Sequence, residues 1–165
     1  WNAILLGATF QATELKSPVA YPLKREYTLR DFARSAHFEG VPFQQPDVFP
    51  IATQNAARVF WWLHAQDPAR AVAWARCALR AYFTRGVPLN DGTALKALAA
   101  QAGIDPEAAE QVWNDPQWKL ALKQANDAAI AAGIFGAPWI VVDGEPFWGN
   151  DRRPQIERWL AQGPI

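Results

Sequence analysis

The sequence predicts a mixed α/β fold: a block of helices framed by short strands. Three observations lead there. Residues 133–152 read as helix end, loop, strand, tight turn, strand and helix start. Three Asp-Pro pairs, at 67–68, 105–106 and 115–116, mark successive helix starts, because Asp caps the free N–H groups and proline suits the first helical position. The apolar run Trp1–Leu6 reads as a short buried strand at the other end of the chain.

Each element follows from local chemistry. After Trp1–Leu6, residues 7–22 carry Ser17-Pro18 and Tyr21-Pro22, which predict a loop. Thr28 and Asp31 suit a helix start, and Leu29, Phe32, Ala33 and Ala36 form its apolar stripe until Gly40. Pro42, Pro46 and Pro50 enforce an extended connection. Thr53 starts a helix with Ala56, Ala57, Phe60, Trp61 and Leu63 inward. The Asp-Pro pairs then head helices over 68–84, 106–113 and 116–132, with another over 92–102 stopped by Gly103. Gly133 ends the last of these, since a C-terminal glycine turns through positive φ. Pro138 opens the buried-strand run Trp139–Val142, Asp143-Gly144 makes a hairpin turn, and Phe147-Trp148 begin the return strand. Gly149 breaks that strand, and Asn150 or Asp151 caps the final helix.

The chain has 165 residues, half of them hydrophobic, enough for one domain with a sizeable core. Net charge is zero and the pI near neutral, so nothing points to nucleic acid. No apolar run reaches the length of a membrane span, and no signal peptide is visible. The single cysteine, Cys77, excludes a disulfide framework and a Cys-x-x-Cys pair within these residues. It reads as a small buried hydrophobe. His37 and His64 stand apart with no cluster around them, so no metal site is expected. Most of the nine tryptophans are expected in the core.

The C-terminal segment carries the chemistry. A helix N-terminus offers free N–H groups to a carboxylate, and a neighbouring side-chain carboxylate holds an ammonium. Asn150-Asp151 fits that description, and plain helix capping is the competing reading. For Ala137-Pro138, residue physics alone favours a trans bond, because cis is a small minority of X-Pro bonds.

The order of elements resembles the C-terminal half of a thioredoxin fold. Phe135-Gly136-Ala137-Pro138 followed by Phe147-Trp148-Gly149-Asn150-Asp151-Arg152 resembles a narrower group, the kappa-class glutathione transferases and 2-hydroxychromene-2-carboxylate isomerases. The resemblance implies a DsbA-like thioredoxin fold, with residues 1–27 and 116–165 as the thioredoxin-like part and 28–115 as a helical insertion. It implies a cis Ala137–Pro138 bond whose Ala137 backbone docks the cysteinyl part of glutathione. Asn150, Asp151 and Arg152 would hold the γ-glutamyl end, and Lys24, in Tyr21-Pro22-Leu23-Lys24, the glycyl carboxylate.

Two departures stand out. Leu15 sits where the family has an asparagine that touches glutathione. The family's opening strand, Ser-Pro-x-Ser turn and helix have no counterpart here. The N-terminal βα unit is thus expected to be missing from this chain, together with the serine that activates the glutathione thiol. No residue of this chain is then expected to be catalytic, and little isomerase activity is expected from these 165 residues alone. The activity implied is a glutathione-dependent isomerisation of a small aromatic compound, in the cytoplasm, with a homodimer compatible. The alternatives are a DsbA-like thiol–disulfide oxidoreductase and a non-catalytic module that binds glutathione or peptides. Trp148 and the Gly-Asn-Asp-Arg ending lean towards the isomerases.

Overall fold

A computed structural model describes residues 1–165. In chain order it contains α1 (Leu6–Ala12), a 3-10 turn (Pro18–Ala20), α2 (Pro22–Phe38), α3 (Gln54–Gln66), α4 (Pro68–Arg85), α5 (Gly92–Gln101), α6 (Pro106–Asn114), α7 (Pro116–Ala131), β1 (Trp139–Val142), β2 (Glu145–Trp148), a second 3-10 turn (Asn150–Arg152) and α8 (Arg153–Gln162).

The Asp-Pro punctuation works as expected. Asp67, Asp105 and Asp115 each accept backbone N–H bonds from the first turn of the helix that follows. Asp91 does the same for α5. Gly86 ends α4 at φ 65° and Gly133 follows α7 at φ 76°, the left-handed region glycine enters without steric cost.

The core lies between α3, α4, α5 and α6, where 17 buried residues form one cluster. Val59, Phe60 and Leu63 of α3 meet Ala71, Trp74 and Ala78 of α4. The alanines let these two helices approach closely, and the indole N–H of Trp74 donates to the carbonyl of Ala56 at 2.9 Å. Tyr82 on α4 donates to the carbonyl of Val48 at 2.7 Å, tying down the proline-rich connection. Arg58 bridges Asn55 and the carbonyl of Trp113 at 3.0 and 2.9 Å. Partial burial pulls its pKa below the ordinary arginine value. Of the tryptophans, Trp74 and Trp113 are buried, while Trp1 and Trp148 are more than half exposed.

Three expectations need correcting. Trp1–Leu6 is not a strand. Residues 1–5 hold no regular structure and Leu6 opens α1. An apolar run makes a strand only where another strand supplies ladder partners, and here the partners are side chains. The amide of Leu5 donates to Asn126 Oδ1 on α7 at 2.8 Å, and the indole N–H of Trp61 donates to the carbonyl of Ala3 at 3.0 Å.

The second correction concerns α2, which starts at Pro22 and not at Thr28. Pro22 occupies the first helical position, where its missing N–H costs nothing. Lys24 therefore lies on a helix, and the 27/28 boundary falls inside α2.

The third concerns the sheet, which has two strands only. They pair antiparallel, Trp139 opposite Trp148 and Ile140 opposite Phe147. Asp143 and Gly144 turn at φ 52° and 87°, the double positive φ of a type I′ hairpin. Trp139–Val142 has the composition of a buried strand, yet Val141 is 58% exposed. Within the hairpin Phe147 alone is buried, its ring edge against Trp159 of α8 at 5.7 Å between centroids.

Candidate functional site

The two segments singled out in the C-terminal sequence meet in one corner. Ala137–Pro138 is cis. The carbonyl of Pro138 accepts the amide of Gly149 at 3.0 Å, which sets residues 137–138 beside residues 149–151. Neither the N–H nor the C=O of Ala137 has a backbone partner.

Both glycines of the corner are sterically required. Gly149 sits at φ 104°, ψ 153°, a conformation confined almost wholly to glycine. A Cβ there would lie 2.4 Å from Asp151 Oδ1. A Cβ on Gly136 would lie 2.4 Å from Trp148 Nε1. Phe135 packs edge-on against Trp139 and Trp148 at 5.0 and 4.8 Å, fixing the approach to Pro138.

Asn150 and Asp151 do not cap the last helix. Gly149 occupies the N-cap position of the 3-10 turn and Arg152 that of α8, and neither end has a side-chain cap bond. The interposed 3-10 turn moves both side chains past the position from which a cap can reach back. Asp151 Oδ2 accepts from Arg152 at 3.0 Å, so Arg152 acts on Asp151. Asp151 Oδ1 has no protein hydrogen bond.

These residues form one wall of a cleft of about 380 Å³, with Asn150, Asp151 and Pro154 on one side and Arg34, Ser35, Phe38 and Glu39 on the other. Its size falls within the roughly 300–1,000 Å³ usual for small-ligand sites. Glu39, in the cleft lining, pairs with Arg153 and so joins the end of α2 to α8. Arg34 pairs with Asp31 one turn back. That hydrogen bond, with a smaller one from Tyr27, raises the guanidinium pKa above its ordinary value.

Lys24 does not line the cleft. It lies on α2 with its ammonium 5.3 Å from the ring of Tyr21. Lys24 and Ser35 are 11 positions apart, which puts them on nearly the same helix face and about 16 Å apart along the axis at 1.5 Å per residue. The α2 wall was missed by sequence reasoning. The signal was present as the polar stripe Lys24, Thr28, Asp31 and Ser35, at spacing that repeats on one helix face. It becomes visible once the helix is started at Pro22.

The remaining candidates lie elsewhere. Cys77 is a half-buried free thiol in the wall of a small apolar pocket of about 160 Å³ with Leu63, Trp74 and Ile104. His64 packs on Phe60 and Trp61 at 5.7 and 5.2 Å. No group of three or more His, Cys, Asp or Glu side chains could hold a metal ion, and no helix is long and apolar enough to cross a membrane.

Residues 1–161 match the DSBA-like thioredoxin domain family. The chain belongs to that family. Among its DSBA-like relatives is the 2-hydroxychromene-2-carboxylate isomerase of Sphingobium xenophagum, 29% identical over 137 residues, which span 83% of this chain and 68% of that one. Glutathione S-transferase kappa 2 of Caenorhabditis elegans is 25% identical over 163 residues, 90% of this chain and 72% of that protein. The solved structure of a 2-hydroxychromene-2-carboxylate isomerase superposes with a TM-score of 0.87 at 24% identity, covering 98% of this chain and 78% of the other. The fold is therefore the DsbA-like thioredoxin fold, mostly helical with a small two-stranded sheet. In this DSBA-like chain, Leu15 is 48% exposed and just beyond α1, and its side chain offers no donor or acceptor.

Proposed function

We propose that this protein is a glutathione-dependent enzyme of the 2-hydroxychromene-2-carboxylate isomerase or kappa transferase type, acting on a small aromatic compound. The observation that carries this reading is the corner itself. The Gly149–Pro138 hydrogen bond sets an unpartnered Ala137 backbone beside the open cleft at Asn150 and Asp151.

The residues present fit glutathione. The free N–H and C=O of Ala137 suit an extended peptide, which adds by main-chain hydrogen bonds. Pro138 holds that backbone against Gly149. The unbonded Oδ1 of Asp151 suits an ammonium, and Arg152 keeps the carboxylate oriented from its other oxygen. Asn150 contributes an amide that serves as donor and acceptor. Lys24 reaches a second carboxylate from three turns along α2. Three extended residues span roughly 10 Å, and the lysine stem covers the remainder once its ammonium swings from the Tyr21 ring toward the cleft.

When bound, glutathione supplies a thiolate that adds reversibly to the unsaturated substrate and is expelled after bond rotation. The resemblance assigns thiolate activation to a serine outside residues 1–165. It also carries the division into a thioredoxin-like part (1–27, 116–165) and a helical insertion (28–115), a cytoplasmic setting and a homodimer.

Calorimetric titration with glutathione tests the reading. A partly desolvated charged hydrogen bond is worth roughly 1.5–3 kcal/mol, so Asp151→Ala weakens binding about ten-fold or more. An unchanged dissociation constant in a folded variant overturns the assignment of Asp151.

A further inference from the structure

We propose that Arg34 on α2 is the second anchor of the cleft, taking the α-carboxylate of the head group whose ammonium Asp151 takes. The inference rests on the glutathione reading and adds the selection of a zwitterionic amino-acid head group.

Arg34 is exposed but not free. Asp31 and the hydroxyl of Tyr27 both accept from its Nη2, and the guanidinium lies 5.5 Å from the centre of the Tyr27 ring. Three contacts on one side thus hold a long side chain that is ordinarily mobile. Nε and Nη1 are left without a protein partner at the cleft. A planar fork held in advance loses less entropy on binding a carboxylate than a loose lysine does.

The wall carrying Arg34 is itself fastened. α2 buries none of its residues, so packing alone does not fix its last turns. Phe32 packs edge-on against Phe49, and the Glu39–Arg153 pair adds a tie from the end of α2 to the start of α8.

Charge selects the ligand. The charged groups at the cleft come as two pairs, Arg34 with Asp31 and Asp151 with Arg152, and a triad in which Arg153 is shared by Glu39 and Glu157. The two pairs with open valences are each neutral, so neither by itself favours a plain anion or a plain cation. The unfilled valences are cationic donors on Arg34 and an anionic acceptor on Asp151, both in the lining of the cleft. A carboxylate and an ammonium on one carbon satisfy both.

The test titrates glutathione, and its analogue lacking the α-carboxylate (4-aminobutanoyl-cysteinyl-glycine), into the wild-type chain and into Arg34→Gln and Arg34→Lys. The expected result is a wild-type preference for glutathione of about ten-fold or more. Arg34→Gln abolishes that preference by weakening glutathione alone, and Arg34→Lys restores part of it. An Arg34→Gln variant that keeps the preference overturns the proposal and leaves the glutathione reading standing. Equal weakening of both ligands also overturns it, because it marks a merely structural role. If the wild-type chain binds neither ligand, the glutathione reading itself falls, and the Arg34 assignment with it.

Discussion

The helical block and the corner that carries the candidate site are built on different principles. In α3 to α6, stability comes from burial: Trp74, Phe60, Leu63, Leu95 and Leu98 are at most 2% exposed, and each face is matched by a neighbour. In α2, the hairpin and α8, few side chains are buried, and position is set by single polar links such as Glu39–Arg153, Gly149–Pro138 and Trp159–Asp143. A dense core fixes a shape through many weak contacts, none of them decisive. A site held by a few hydrogen bonds keeps its backbone and charges open to a ligand, and each link counts.

Changes in the two regions should therefore separate stability from binding. Trp74→Ala has the largest expected effect. It removes a buried ring and a buried hydrogen bond, and should cost about 3–5 kcal/mol in urea unfolding. A loss below about 1 kcal/mol would mean that the block does not carry the stability of the chain.

Gly149→Ala comes next and acts on the corner only. The strained φ and the contact with Asp151 should cost about 1–3 kcal/mol. The expected signature is disturbed fluorescence of the adjacent Trp148 and weaker glutathione binding, with far-ultraviolet circular dichroism unchanged. Wild-type binding by this variant would show that the corner is not needed for the ligand.

The smallest expected effect lies back in the block. Lys96 bonds Glu107 at 2.7 Å and Glu110 at 2.8 Å, linking α5 to α6, and these bonds raise its pKa above the ordinary value of 10.5. A group whose folded pKa is raised stabilises fully below its unfolded pKa, and the contribution fades as pH rises through the folded value. Stability should therefore decline in the alkaline range above about pH 10.5, and Lys96→Gln should flatten that part of the pH profile. Identical slopes for both proteins would remove Lys96 from the account.

What was legible in the sequence was what local chemistry dictates. Asp before Pro specifies a helix start wherever it occurs, and Asp143-Gly144 specifies a tight hairpin because both positions need positive φ. The cis Ala137–Pro138 bond was legible only through family resemblance, since nothing local distinguishes it from a trans bond. Pro22 was read as a break although the same residue can open a helix, and that hid the start of α2. Trp1–Leu6 was misread because composition reports a preference for burial and does not name a partner. Arg34, Ser35 and Glu39 were invisible as site residues because their role arises only when α2 lies across from residues 150–154, which are more than 100 positions away.

The hydrogen bond from Leu5 to Asn126 spans 121 positions. On the ribosome, Leu5 thus leaves the tunnel 121 positions ahead of Asn126 and waits for α7 before its seat exists. By then α3 to α6 have been synthesised, and domains fold as they emerge. The entropy of closing so long a loop grows only with the logarithm of its length. Delay, more than free energy, is what this contact imposes: while α1 to α6 are being made, Leu5 stays without its native seat.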